Sequence, residues 1–297
     1  MCSVAYHTDV PRPSQRVVHA GLRFARKLRV MLTVAIYTVL SPFGYLLIAL
    51  AHATGSADPV QRARRMQRIT AGAYRIMHAW LTWTRITHFD RRAALRDLPA
   101  GPCVVVANHP TLMDVTSILA TLGGGVTVAK PALYRRRVLR ALLEGAGHIE
   151  GPGGDPVAAG RVVDEAVERI RQGFSLLIFP EGTRSVAGRL LPFGRAAFEI
   201  ACRARVPLVS IAVRCDPVWL SKEVPLLDPP HPMPRLLLRT LAIDDPARVD
   251  YDSRRLCRTV EGRYQRWLSD GRPPDPLVTP PLVAARDTPW PTSSKTA

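Results

Sequence analysis

Two short clusters hold the side chains best suited to chemistry. The first is Asn108-His109-Pro110-Thr111-Leu112-Met113-Asp114. A carboxylate on one imidazole nitrogen fixes the tautomer and frees the other nitrogen to act as a general base. Positions five apart do not share a helix face. His109 and Asp114 can therefore meet only if the histidine precedes the helix and folds back over its first turns. The second cluster is Pro180-Glu181-Gly182-Thr183-Arg184-Ser185. Gly182 allows a ligand to approach the backbone, and Arg184 offers a planar fork suited to phosphate. Glu181 is placed either to bond substrate hydroxyls or to hold Arg184. Each cluster alone is ordinary surface chemistry, a lone His–Asp pair or a turn closed by an ion pair.

The surrounding pattern places both clusters. Cys103-Val104-Val105-Val106-Ala107 is a short apolar run that reads as a buried strand, and a helix is expected over 111–122 with Pro110 at its first position. Further strands are expected over 125–129, 147–150, 174–180, 206–214 and 235–243. Further helices are expected over 132–143, 157–172 and 194–204. Short strands alternating with helices predict an α/β domain with a largely parallel sheet. Each cluster then follows the carboxyl end of a strand, where ligands gather in such sheets. The loop over 150–156 is rich in Gly and Pro.

Ahead of this domain lies a different composition. Arg23, Arg26, Lys27 and Arg29 precede a stretch with no charged residue until Asp58. Its length suits a membrane, but Arg62, Arg64, Arg65 and Arg68 follow it, and the positive-inside rule wants one side poor in bases. With Ser41-Pro42-Phe43-Gly44 in the middle, the expectation over 30–53 is a broken or re-entrant helical hairpin with both ends on the cytoplasmic face. A helix over 60–84 has apolar residues at helical spacing and arginines opposite. It reads equally as an interfacial amphipathic helix and as a surface helix packed on the domain. The expected organisation is a basic segment over 1–29, membrane-associated helices over 30–84, a catalytic domain over 85–269 and a disordered Pro-rich tail over 270–297.

The net charge is +17, from 41 Lys and Arg against 24 Asp and Glu, which favours anionic partners. Nucleic acid is not expected, since neither zinc-finger spacing nor a stacking-aromatic motif accompanies the charge. Five cysteines with no C-x-x-C pair point away from a disulfide framework or a zinc site. Cys103 reads as core rather than nucleophile, and no metal-ligand set or cofactor motif is visible.

Taken as a pair, Asn-His-x4-Asp and Phe-Pro-Glu-Gly-Thr-Arg-Ser, about seventy residues apart, resemble the motifs of the phospholipid/glycerol acyltransferase family, which includes the 1-acylglycerol-3-phosphate acyltransferases. The resemblance covers about 85–243. Leu191-Pro192-Phe193-Gly194-Arg195-Ala196-Ala197 and Val206-Pro207-Leu208-Val209-Ser210 are similar to two further family blocks. It implies a glycerol-3-phosphate acyltransferase-like αβ fold. It also implies acyl transfer to a lysophospholipid or glycerol-phosphate hydroxyl, from acyl-CoA or acyl carrier protein as co-substrate, at the cytoplasmic face of a membrane. His109 and Asp114 would be catalytic, with Asn108, Glu181, Gly182, Thr183, Arg184 and Ser185 around the substrate. The family's second block usually ends in an Arg; here the stretch is Gly147-His148-Ile149-Glu150-Gly151. Arg161 or Arg135–Arg137 are the candidates to replace it. The segment Val128-Ala129-Lys130-Pro131-Ala132-Leu133-Tyr134 is similar to members of polyene and specialised lipid pathways, so a non-glycerophosphate acceptor is the alternative. A non-catalytic lipid-binding member and a thioesterase are the other readings.

Overall fold

The computed structural model describes residues 13–54, 56–91, 98–185 and 189–269. The tail expected over 270–297 lies outside the described residues. Strands β1 (His88–Asp90), β2 (Val104–Ala107), β3 (Val126–Ala129), β4 (Ile149–Glu150), β5 (Leu176–Ile178), β6 (Leu208–Asp216) and β7 (Arg235–Asp244) form one sheet in the order β1-β7-β6-β2-β5-β3-β4. All neighbours pair in parallel except β6 and β7. The expected α/β architecture with a largely parallel sheet is therefore the observed one.

β2 lies at the centre, and all four of its residues are fully buried. Two apolar layers cover the sheet. On one face Val104, Val106, Leu208 and Ala212 pack against helices α6 (Pro156–Arg171), α7 (Ala196–Ala204) and α8 (Ser253–Ser269). On the other, Val105, Ala107, Val209 and Ile211 pack against α3 (Asp114–Leu122). The alternation along β2 and β6 is the period of two that puts successive side chains on opposite faces. Tyr264 of α8 is completely buried, and its hydroxyl lies 3.0 Å from the Val106 carbonyl and 2.8 Å from that of Ile211, tying α8 to both central strands.

Three elements differ from expectation. The segment expected as one helix over 132–143 is two, α4 (Pro131–Tyr134) and α5 (Arg137–Gly145). Arg136 between them is extended, which ends one helix before the next begins. β1 is a three-residue edge strand with polar ends, too short to show alternation. α8 is rich in arginine, and its buried Leu256, Cys257, Val260 and Tyr264 stand among exposed bases.

The largest correction concerns the N-terminal region. No hairpin breaks at Pro42: α1 runs as one helix over Pro13–Ala53. Proline deprives the carbonyl four residues earlier of its donor. Here that carbonyl belongs to Thr38, and the Ser41 hydroxyl donates to it at 3.0 Å. The orphaned acceptor is answered locally, so the helix continues.

α2 (Pro59–Trp83) follows, capped by the Asp58 side chain, which accepts from the Val60 N–H at 2.9 Å. It buries Met66, Ala71, His78 and Leu81, packs on α3 and also touches α1. One face of the helix expected over 60–84 is thus packed on the domain, and Ile76 and Trp83 are exposed. Within α1, Phe24–Leu46 is long and apolar enough to cross a membrane. At about 1.5 Å per residue it reaches about 35 Å, against about 30 Å of hydrocarbon. Its Phe24, Val39, Phe43 and Leu46 are between 64% and 71% exposed, an outward face that nothing in the chain covers among the described residues.

Candidate active site

The two clusters meet at the carboxyl ends of β2 and β5, which are neighbours in the sheet. The turn after β2 does not enter a helix at Pro110. α3 begins at Asp114, with Met113 as its cap residue. The four residues between His109 and Asp114 instead form the fold-back that the spacing demands. His109 Nδ1 lies 2.9 Å from Asp114 Oδ2. The Thr111 N–H donates to the same oxygen at 2.7 Å, and the Thr111 hydroxyl donates to Oδ1. Thr111 is the site residue that motif reading overlooked, although it sits inside the motif.

Asp114 is fully buried. Burial pushes its carboxyl pKa up, and the hydrogen bonds and charge of His109 and the two donors of Thr111 oppose that rise. With no exposed surface, its side chain has hydrogen-bond contacts to the His109 imidazole and Thr111 alone among the described residues. The His109 ring stacks on Phe179, centroids 4.1 Å apart, and keeps a modest solvent-facing area. With Nδ1 engaged by the carboxylate, Nε2 is the nitrogen left for a substrate proton.

The second cluster holds the first in place. Glu181 Oε1 accepts the His109 backbone N–H at 3.1 Å and the Ser185 hydroxyl at 2.6 Å, while Oε2 accepts the Leu191 N–H at 2.9 Å. The Ser185 N–H donates to the His109 carbonyl at 2.8 Å. Glu181 and Ser185 are buried, and their polar atoms fix the backbone that carries the base. Asn108 acts in the same way: its amide pairs with both backbone groups of Val213, at 2.9 and 2.8 Å, and so extends the contact between β2 and β6.

Arg184 is half-buried at the rim. Its Nη1 donates to the carbonyls of Leu220 and Ser221 at 3.2 and 2.9 Å. Nε and Nη2 have no hydrogen-bond partner among the described residues. Gly182 is exposed, with φ +66°, and closes the turn by donating to the Phe179 carbonyl at 3.0 Å. Thr183 is half-buried beside it. Cys103 is buried in the layer under α3, as core. Arg161 is exposed on α6, 4.0 Å from Asp155.

An imidazole oriented by a buried carboxylate thus sits at the strand ends of an α/β sheet. Residues 91–214 match the family described as Acyltransferase. That stretch includes both clusters, and over it the chain is similar to 1-acylglycerol-3-phosphate acyltransferases. It is 32% identical over 121 residues to the chloroplastic 1-acyl-sn-glycerol-3-phosphate acyltransferase BAT2 of Brassica napus, a match covering 40% of this chain and 35% of that protein. It is 35% identical over 120 residues to the human 1-acyl-sn-glycerol-3-phosphate acyltransferase alpha, covering 39% and 41%. The matched stretch thus spans well under two thirds of these relatives' length. The crystal structure of the 1-acyl-sn-glycerophosphate (LPA) acyltransferase PlsC from Thermotoga maritima shares the fold. Its TM-score is 0.61 at 19% identity, over 84% of this chain and 95% of that one.

Proposed function

We propose that this protein is a membrane-associated O-acyltransferase that moves a fatty acyl group from a thioester to a hydroxyl of a lysophosphatidic-acid-type acceptor. The observation that carries the reading is the 2.9 Å contact between His109 Nδ1 and the fully buried Asp114. His109 Nε2 takes the acceptor's hydroxyl proton as its oxygen attacks the thioester carbonyl. The tetrahedral intermediate collapses, the C–S bond breaks, and the imidazolium returns the proton to the departing thiolate. Asp114 stabilises the imidazolium between these steps. The acceptor oxygen attacks directly, so no acyl-enzyme forms. Arg184 is placed to take the acceptor phosphate through Nε and Nη2, and Gly182 and Thr183 shape the rim beside it. The names of the relatives support the acceptor class.

Membrane association rests on the outward face of α1, and Lys27 and Arg29 in the N-terminal half of that helix suit anionic headgroups on the cytoplasmic side. A second acceptor class stays in view because His148 and Glu150 stand where the family's second block carries an Arg. An assay of purified protein with acyl-CoA and a panel of acceptors, phosphorylated and not, tests both. His109→Ala is expected to lower transfer to every acceptor by at least about a thousandfold with the melting temperature kept. Turnover retained by the variant would overturn the base assignment, and free fatty acid without acylated lipid would favour a thioesterase.

A further inference from the structure

Burying an imidazole costs free energy unless its ring nitrogens find partners. His78, in the last third of α2, is 1% exposed and stands outside both clusters. Phe89 of β1 stacks on its ring, with centroids 4.0 Å apart. Its Nδ1 lies 3.3 Å from Nη1 of Arg91, and its Nε2 lies 3.1 Å from the Thr116 hydroxyl on α3. Burial, with the charge of Arg91 adding to it, pushes the His78 pKa down to about 3, so the ring is neutral near pH 7. A neutral imidazole has one donor and one acceptor, and a guanidinium can only donate. Nδ1 therefore accepts from Arg91, while Nε2 carries the proton and donates to Thr116 Oγ1. The Thr116 hydroxyl continues the chain by donating to the Met113 carbonyl at 2.9 Å.

Both nitrogens are thus engaged inside the protein, and His78 is no second base. What it holds is the start of α3. Met113 is the cap residue there, without a side-chain cap bond, and its carbonyl also accepts the Ser117 N–H at 3.0 Å, the first rung of the helix. Asp114 is the first residue of α3. Thr116 comes two positions later, about 200° around the helix. The chain from α2 therefore grips the side of α3 turned away from the catalytic carboxylate. A helix held on that side resists rotation about its axis, the motion that would carry Asp114 Oδ2 off His109 Nδ1, now 2.9 Å away. Apolar residues of similar volume would pack two helices at least as stably as a buried polar chain. What they lack is direction.

Resting on the acyltransferase reading above, we infer that His78 is a positioning residue for the transfer reaction: through Thr116 and Met113 it fixes the rotation of α3, and with it the place of Asp114 against the catalytic imidazole. His78 itself touches neither the base nor its carboxylate.

The test is His78→Leu in the full-length protein in detergent, with His78→Gln beside it. The glutamine amide can again donate to Thr116 and accept from Arg91. A catalytic group misplaced by about 1 Å costs up to about a hundredfold in rate. His78→Leu is expected to lower kcat about tenfold, with the Michaelis constants of thioester and acceptor unchanged, and His78→Gln to return kcat to within about threefold of the parent. A second readout needs no turnover. The proton on His109 Nδ1, held by a carboxylate, gives a low-field proton magnetic resonance, assigned by its loss in His109→Ala. It is expected to shift or vanish in His78→Leu and to reappear in His78→Gln. If His78→Leu does not fold, Thr116→Ala breaks the same chain from α3, with Thr116→Ser as its rescue. The inference is overturned by a parent-like kcat or an unchanged resonance in the folded leucine variant. A loss confined to a Michaelis constant also overturns it, as does a loss that glutamine fails to recover, which would assign His78 to packing alone. A resonance that follows His78 as expected, in a protein inactive on every acceptor, would support the positioning role while refuting the acyltransferase reading.

Discussion

Replacing Asp114 by asparagine separates two things that its carboxylate does. The amide is nearly isosteric, and its oxygen can occupy the Oδ2 position, accepting the His109 Nδ1 proton and the Thr111 N–H as now, at 2.9 and 2.7 Å. The amide nitrogen then faces the Thr111 hydroxyl, which can accept as well as donate. Geometry and tautomer are kept, and the charge is lost. Two effects follow, of opposite sign. Asp114 is fully buried and burial penalises its charged form, so the neutral amide relieves a desolvation cost and stability is expected to hold or rise. The imidazolium that forms during transfer loses its counter-charge. Unit charges about 4 Å apart at an effective dielectric constant of about 20 interact by about 4 kcal/mol. That is about a thousandfold in rate. The assay is single-turnover acyl transfer at saturating acceptor, with urea denaturation on the same preparations. A rate within tenfold of the parent would refute the electrostatic role of Asp114. A loss of more than about 2 kcal/mol of stability would refute the hydrogen-bond bookkeeping.

Glu181→Gln is expected to lower both stability, by about 2 kcal/mol, and turnover. The new amide must point its nitrogen at donors from His109, Ser185 or Leu191, and a urea midpoint that does not move would contradict this. Acid should destabilise the fold through His148, whose Nδ1 accepts the Thr127 N–H at 3.1 Å. Burial lowers its pKa from 6.5 to about 4, so between those values the unfolded chain holds the extra proton. Its contribution is complete above about pH 6.5 and falls by about 2 kcal/mol on going to pH 5, as denaturant midpoints across that range will report. Washing membranes with molar salt should leave the protein bound, because the face of α1 is apolar and salt screens only charge; release into the supernatant would exclude insertion.

The sheet was legible because β2, β3, β5 and β6 are short apolar runs bounded by turns, and helices of ordinary length separate most of them. β1 escaped because three residues cannot display a period. α8 escaped because Leu256, Val260 and Tyr264 are spaced correctly but diluted by arginines. The His109–Asp114 contact could be read from residue types and spacing, since a histidine five positions ahead of a carboxylate meets it only by folding back before the helix. The work of Glu181, Ser185 and Asn108 could not, because their partners are backbone groups of other strands. Strand adjacency, and not residue identity, makes those contacts. Pro42 misled for a related reason, since its effect depended on whether a neighbouring hydroxyl answers one carbonyl.

The bond from the Glu181 carboxylate to the His109 backbone joins residues 72 positions apart, and that from Asn108 to Val213 joins residues 105 apart. Closing such loops is slow compared with forming a helix or a turn. A refolding chain therefore acquires helical content well before the imidazole is held in place. Recovery of acyl transfer after dilution from denaturant should lag the helical signal and coincide with the last cooperative step, so activity reports complete closure of the sheet rather than the presence of its parts.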